Sequence, residues 1–232
     1  MADERGIDGR DPYDLQDTEC ARLAERFNAL DESAWSAPSG CEGWSRRDLL
    51  AHLVAVEEYF SACLAGTVAA LMARYAATGA ASLDDFNAAG VAAAGDANGP
   101  ALLADWLARN RENRAAFRAA DGTDIDTSVG PYPCRLQAFH VAFEYAIHAN
   151  DAGAPVSPRQ FDARQDWLAG VARFALTEIK DDVRVDESEE GFVVRQGDVA
   201  LDVTRDAFVA AVAGRPAEGA GAAEIDLLSL GY

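Results

Sequence analysis

Three histidines occur in the 232-residue chain, and two of them flank a glutamate at even spacing: His140, Glu144 and His148. In a helix, steps of four residues advance by only about 40°, so these side chains share one face. Asp151 falls on the same stripe. With residues 134–151 read as a helix, Leu136, Phe139, Phe143 and Ile147 form its buried face, and the polar stripe lies beside them. Ala138, Ala142, Tyr145 and Ala149 fall on the far side. The third histidine, His52, has Leu49, Val56 and Tyr59 as its i−3, i+4 and i+7 neighbours and rides on the inward face of another helix. A histidine and a carboxylate one turn apart, met by a histidine from a second helix, make a three-ligand metal site inside a bundle. Three N/O donors with an open fourth position are what catalytic zinc uses, and Asp151 could orient a ligand imidazole. The same spacing also occurs as plain surface electrostatics. Spacing leaves open whether His52 or His140 is the third donor.

These residues need helices to hold them, and the pattern supplies them. Residues 1–17 are polar and read as a loosely held arm. Cys20, Leu23, Phe27 and Leu30 recur at spacings of three and four, predicting a helix over 18–30. A link containing Pro38, Gly40 and Gly43 follows, and then Ser45 stands three residues before Asp48, a capping box ahead of the helix that carries His52. That helix buries Leu49, Leu53, Val56, Phe60 and Cys63 and extends toward Tyr75. Residues 82–99 read as a connection with some helical turns. Pro100 starts a helix with the stripe Leu103, Trp106, Leu107 and Phe117. Gly130, Pro131 and Pro133 break the chain before the helix of 134–151, and a fifth helix covers 162–179. Beyond Lys180 come β-prone runs at 183–185, 192–195 and 199–203, punctuated by Glu190-Gly191 and Gly197-Asp198. Thr204 then caps a short helix closed by Gly214, and the tail over 216–232 is glycine-rich and then apolar. The fold class is mainly α: a helical bundle over 18–180 followed by a small α/β domain over 181–232.

Charge narrows the partners. The chain carries 20 Lys+Arg against 39 Asp+Glu, a net charge of −19. That field repels nucleic acid and anionic membrane surfaces. No basic, apolar leader opens the sequence and no apolar run reaches the length of a membrane span, so the protein reads as cytoplasmic. The four scattered cysteines, Cys20, Cys41, Cys63 and Cys134, read as reduced thiols rather than a disulfide frame. Cys20 and Cys63 fit core stripes. Cys41 and Cys134 precede the two metal-bearing helices, where a helix N-terminus can lower a thiol pKa.

Two stretches resemble the mycothiol-dependent maleylpyruvate isomerase family, a branch of the DinB-like metalloenzymes. Cys41-Glu-Gly-Trp-Ser-Arg-Arg-Asp-Leu-Leu-Ala-His-Leu53 is similar to the family's Gly-Trp-Ser/Thr, Asp, Ala-His-Leu signature. Phe143-Glu-Tyr-Ala-Ile-His-Ala-Asn-Asp151 is similar to its Glu-x-x-Val/Ile-His-x-x-Asp pattern. Phe86-Asn87 and the Ala-Gly-Arg215 ending also have the family's look. Val141 and Ala146 stand where many members carry Arg and Trp.

The resemblance implies a DinB-like bundle in which His52, Glu144 and His148 hold the metal, zinc or another divalent transition ion. His140 then becomes a pocket-lining residue or a satisfied core histidine. It also implies that mycothiol, a low-molecular-weight thiol, is the cofactor or co-substrate and that a small, anionic electrophile is the substrate. The thiol adds to an electron-poor double bond, the bond rotates, and elimination returns the thiol; without elimination the site is a thiol S-transferase. Arg215 is the candidate cation for the substrate, with a helix-terminal role as its structural alternative. Two other classes compete: a zinc hydrolase working through bound water, and a non-catalytic metal-binding bundle in which His140 closes the coordination sphere.

Overall fold

The capping box that precedes His52 forms as its residues predict. Ser45 Oγ accepts from the Asp48 backbone N–H at 3.2 Å, and the Asp48 carboxylate accepts from the Ser45 N–H at 3.1 Å. In the computed structural model, which describes residues 2–216 and 219–230, the contacts divide the chain into two units. One comprises residues 11–155 and the other residues 1–10 together with 156–232. The bundle therefore ends at Pro155, not near residue 180, and the predicted fifth helix groups with the C-terminal segment.

The first unit is built on four long helices: α1 (Pro12–Asn28), α2 (Arg46–Ala65), α5 (Gly99–Ala119) and α6 (Cys134–Asp151). Two shorter ones, α3 (Val68–Ala76) and α4 (Leu83–Ala93), lie between α2 and α5 in sequence. α1 packs on α5 and α6, and α2 on α4 and α5. Leu23, Phe27, Leu49, Leu53, Trp106, Phe117 and Tyr145 are fully buried in the shared core. The arm expected over 1–17 is largely helix: Asp11 accepts from the Tyr13 and Asp14 N–H groups, and Pro12 takes the first turn, where its missing N–H costs nothing.

Two further differences have clear causes. Residues 124–133 form a hairpin, β1 (Asp124–Thr127) with β2 (Gly130–Pro133), in register Thr127↔Gly130 and Ile125↔Tyr132. Both strands are edges, so prolines that would break a central strand are tolerated in β2. α6 is buried on nearly every side, and the Ala138, Ala142, Tyr145 and Ala149 face assigned to the far side is fully buried. α1 packs along this helix, so the apolar stripe understates the core.

One buried carboxylate ties three of these helices together. Glu57 of α2 is fully buried; its Oε1 accepts from Asn110 Nδ2 and from the Tyr145 hydroxyl, each at 2.7 Å, and its Oε2 accepts from Asn113 Nδ2 at 2.8 Å. Burial pushes its carboxyl above the usual range, while these hydrogen bonds pull it back.

The second unit holds α7 (Pro158–Ile179), the antiparallel sheet β3 (Val183–Glu187), β4 (Gly191–Gln196) and β5 (Val199–Thr204), then α8 (Arg205–Val212) and α9 (Ala222–Leu228). Val183, Val185, Phe192 and Val194 are buried, and Phe192 lies 4.8 Å from Phe208 of α8, ring centre to ring centre. Thr204 Oγ1 caps α8 by accepting from the Ala207 N–H. A 3₁₀ turn at Glu4–Gly6 packs on α7. Helix α9 lies in the tail, whose residues 217–218 and 231–232 fall outside the described ones.

Replacing Glu57 with Leu should strand the buried Asn110, Asn113 and Tyr145 donors, at about 1–3 kcal/mol each. A loss of at least about 3 kcal/mol in urea unfolding is expected, and an unchanged midpoint would show that the network is not holding the bundle.

Candidate metal centre

α2 and α6 bring three donor atoms to one point. His52 Nε2 lies 3.2 Å from Glu144 Oε1 and 3.1 Å from His148 Nε2, and Glu144 Oε1 lies 3.0 Å from His148 Nε2. Donors about 2.0–2.1 Å from a tetrahedral ion sit about 3.3 Å from one another, so the triangle is close to that of a zinc ligand set. Glu144 and His148 share a face because they are one turn apart; His52 meets them from the facing helix. Both histidines are buried, whereas the Glu144 side chain keeps 34% of its surface exposed, which leaves one side of the triangle open. The Trp44 ring lies 5.1 Å from that of His52.

Behind His148 stands a second layer. The Asp151 carboxylate lies 2.8 Å from His148 Nδ1. A proton on Nδ1, donated to Asp151, leaves the Nε2 lone pair for the metal. Cys41 donates its S–H to the same carboxylate oxygen at 3.3 Å, and its sulfur is 3.9 Å from His148 Nδ1. The Gly40 N–H donates to the Asp151 carbonyl at 2.8 Å. A side chain at residue 40 would clash there, its Cβ falling 2.8 Å from Asp151 Cα. Cys41, His148 and Asp151 also satisfy ligand spacing as a group. They are already joined to one another by hydrogen bonds, and Asp151 serves His148 better as an acceptor than a metal as a ligand.

Electrostatics follow the layout. Burial works against charge on both Glu144 and His148, but each outweighs it for the other. The neighbouring imidazoles hold Glu144 well below the usual carboxylate range, and Glu144, Asp151 and Cys41 hold His148 well above the usual imidazole range. Burial pushes the Cys20 and Cys63 thiols up to about 11 and raises Cys134 as well, so none of these is a ready nucleophile.

Among the described residues His140 is not one of the converging donors. It lies half-buried one turn before Glu144, its Nε2 3.4 Å from the Tyr132 hydroxyl. Arg215 follows α8 in the other unit, where its guanidinium donates to the Ala213 carbonyl near the helix end. Sequence reasoning missed the bond from Cys41 to Asp151 and the close approach of Gly40. The hint was the small, turn-forming Ser39-Gly40 preceding Cys41, but nothing in the pattern linked that turn to α6.

Among the described residues no helix is long and apolar enough to cross a membrane. No curated protein sequence matches the chain significantly. Two solved structures share its fold at 18% identity over 90% of each chain: a crystal structure of the mycothiol-dependent maleylpyruvate isomerase, TM-score 0.65, and one of a histidine-to-alanine mutant of that enzyme, TM-score 0.62. Residues 17–153, most of the bundle and all of the converging donors, match the family described as the mycothiol maleylpyruvate isomerase N-terminal domain. With more than half of its length in that match, the chain belongs to the mycothiol maleylpyruvate isomerase family.

Proposed function

We propose that the chain is a metal-dependent enzyme that activates mycothiol, or a closely similar thiol, for addition to a small anionic electrophile such as maleylpyruvate. The observation that carries this reading is the convergence of His52, Glu144 and His148 to within 3.2 Å of one another, with Asp151 behind His148. The family and the two related structures supply the thiol and the substrate class.

His52 Nε2, Glu144 Oε1 and His148 Nε2 would hold the metal. Two imidazoles and a carboxylate suit zinc, and also nickel, cobalt or iron. When bound, such an ion lets a coordinated thiol lose its proton near neutral pH. The chain's own residues prepare this: Asp151 fixes the His148 tautomer, Cys41 steadies Asp151, and the exposed side of Glu144 gives the thiol and substrate their approach. The thiol sulfur adds to one carbon of the cis double bond, the resulting single bond rotates, and departure of the same thiol restores the double bond as trans. No oxidant is consumed, and the thiol is returned. If the adduct is kept instead, the same site is an S-transferase. His140 is proposed to line the substrate pocket.

Calorimetric titration of mycothiol into zinc-loaded and metal-stripped protein tests this reading directly. Binding should appear only with metal and should vanish in His148→Ala while circular dichroism shows the fold intact. Turnover that persists without any thiol would favour the hydrolase instead. Asp151→Asn should weaken metal binding by about 10–100-fold, measured by competition with a chromogenic chelator.

Metal removal should also reverse the pH dependence of stability. In metal-free protein His148 is raised, so its contribution is complete below about pH 6.5 and is lost as pH rises through its folded value. Glu144 is lowered, so its contribution is complete above about pH 4.3 and is lost as pH falls through its folded value. The metal-free protein should therefore melt highest between about pH 4.5 and 6.5, while metal affinity, which needs His148 deprotonated, drops about tenfold per pH unit on acidification. Melting curves with and without chelator from pH 4 to 9 would reveal parallel profiles if the pair plays no such part.

A further inference from the structure

The unit formed by residues 1–10 and 156–232 contains a cleft of about 350 Å³ in which four arginines meet. Arg5 and Arg10 come from the N-terminal segment, Arg173 from α7 and Arg205 from α8. That volume suits a small metabolite. The cleft exists because two backbones touch: a Cβ on Gly170 would lie 2.3 Å from the Gly6 carbonyl oxygen, and one on Gly6 would lie 2.3 Å from Gly170 Cα. Only this glycine pair seats the N-terminal segment close enough for its arginines to face α7.

The four guanidiniums are not equally satisfied. Arg5 is engaged by Asp3, with Nε on Oδ1 at 2.8 Å and Nη2 on Oδ2 at 2.5 Å. Arg10 and Arg205 share a single carboxylate, Asp166; Arg205 Nη1 sits 2.8 Å from Oδ1 and Arg10 takes Oδ2. Arg173 is only 5% exposed, yet its Nε makes no hydrogen bond. The carboxylates facing it stay at 3.6 Å (Asp3) and 3.5 Å (Glu187), too far for direct hydrogen bonds. Arg173 and Arg205 flank the Phe192 ring at 6.0 and 5.7 Å from its centre. Asp8, Asp166 and Glu187 line the cleft and Asp3 pairs with Arg5, so four carboxylates balance four arginines in a chain whose net charge is −19. A buried guanidinium lacking a close acceptor costs stability, and its planar fork matches the paired oxygens of a carboxylate or phosphoryl group.

We propose that this cleft is a binding site for a small anion presenting a carboxylate or phosphoryl group, which Arg173 grips from the floor and Arg205 from the rim. The site lies wholly within one unit and shares no residue with the candidate metal centre, so it stands or falls independently of the proposed activity.

Isothermal titration of the metal-loaded, full-length protein with inorganic phosphate, and separately with succinate, tests it at constant ionic strength in chloride. Saturable binding of at least one probe is expected; the tighter probe identifies the group recognised. Arg205→Gln should weaken that binding about tenfold and Arg173→Gln should abolish it, while His148→Ala, which removes a metal donor, should leave it unchanged. The Arg205 side chain is 37% exposed, so Arg205→Gln remains a fair test even if Arg173→Gln does not fold. The proposal is overturned if neither probe binds above the chloride control, if binding survives Arg205→Gln undiminished, or if His148→Ala abolishes it.

Discussion

The geometry of the candidate donor triangle depends on where α2 stands against α6, and the bond between Glu57 and Tyr145 is the polar constraint that sets it. Apolar packing alone permits helices to slide by a fraction of a turn at modest cost, because one buried methylene resembles another. A carboxylate that must reach Asn110, Asn113 and Tyr145 at once allows no such slack. Glu57 is five residues from His52, and Tyr145 is next to Glu144, so a shift in their register would open the donor triangle. Burying this carboxylate costs free energy, and its raised pKa is the visible sign of that cost. What the bundle receives in return is one fixed arrangement of α2, α5 and α6.

Much of this was legible in residue types and spacing. The Ser45–Asp48 box, the helix over 134–151 and the three-stranded meander after Lys180 follow from local chemistry that tertiary packing does not override. His52 was placed inward by its apolar neighbours, and Glu144 and His148 by their shared turn. Glu57 escaped notice because attention to apolar stripes skips a glutamate, although Leu50, Leu53, Glu57 and Phe60 keep the spacing of a buried face. The β1–β2 hairpin was hidden by its prolines, which read as breakers until both strands are known to be edges. The boundary at Pro155 was beyond reach for a different reason: periodicity shows that α7 has a buried face but not which unit covers it.

The loop before α2 does more than start a helix. Gly40 clasps the end of α6 through the Asp151 carbonyl, Cys41 donates to the Asp151 carboxylate, and Trp44 lies against His52, all within five residues. The environment of both histidines is thus set by one short segment as well as by the helices. Two physical features of this segment stand out: Gly40, where no side chain fits against Asp151, and the Trp44 ring beside the His52 imidazole.

The donors are unevenly distributed along the chain. Glu144 and His148 lie in one turn of α6, but His52 precedes Glu144 by 92 residues. On a chain emerging from the ribosome, the first donor appears long before the other two, and the α6 pair alone offers an ion only a weak foothold. Completing the set requires closing a long loop, which happens when the bundle closes. An ion held by the proposed donors would therefore reward the finished fold and not its fragments. In the proposed metal-loaded enzyme, metal retention would then act as a proofreading step for assembly, since a bundle misregistered by a single turn would present two donors and let the ion go.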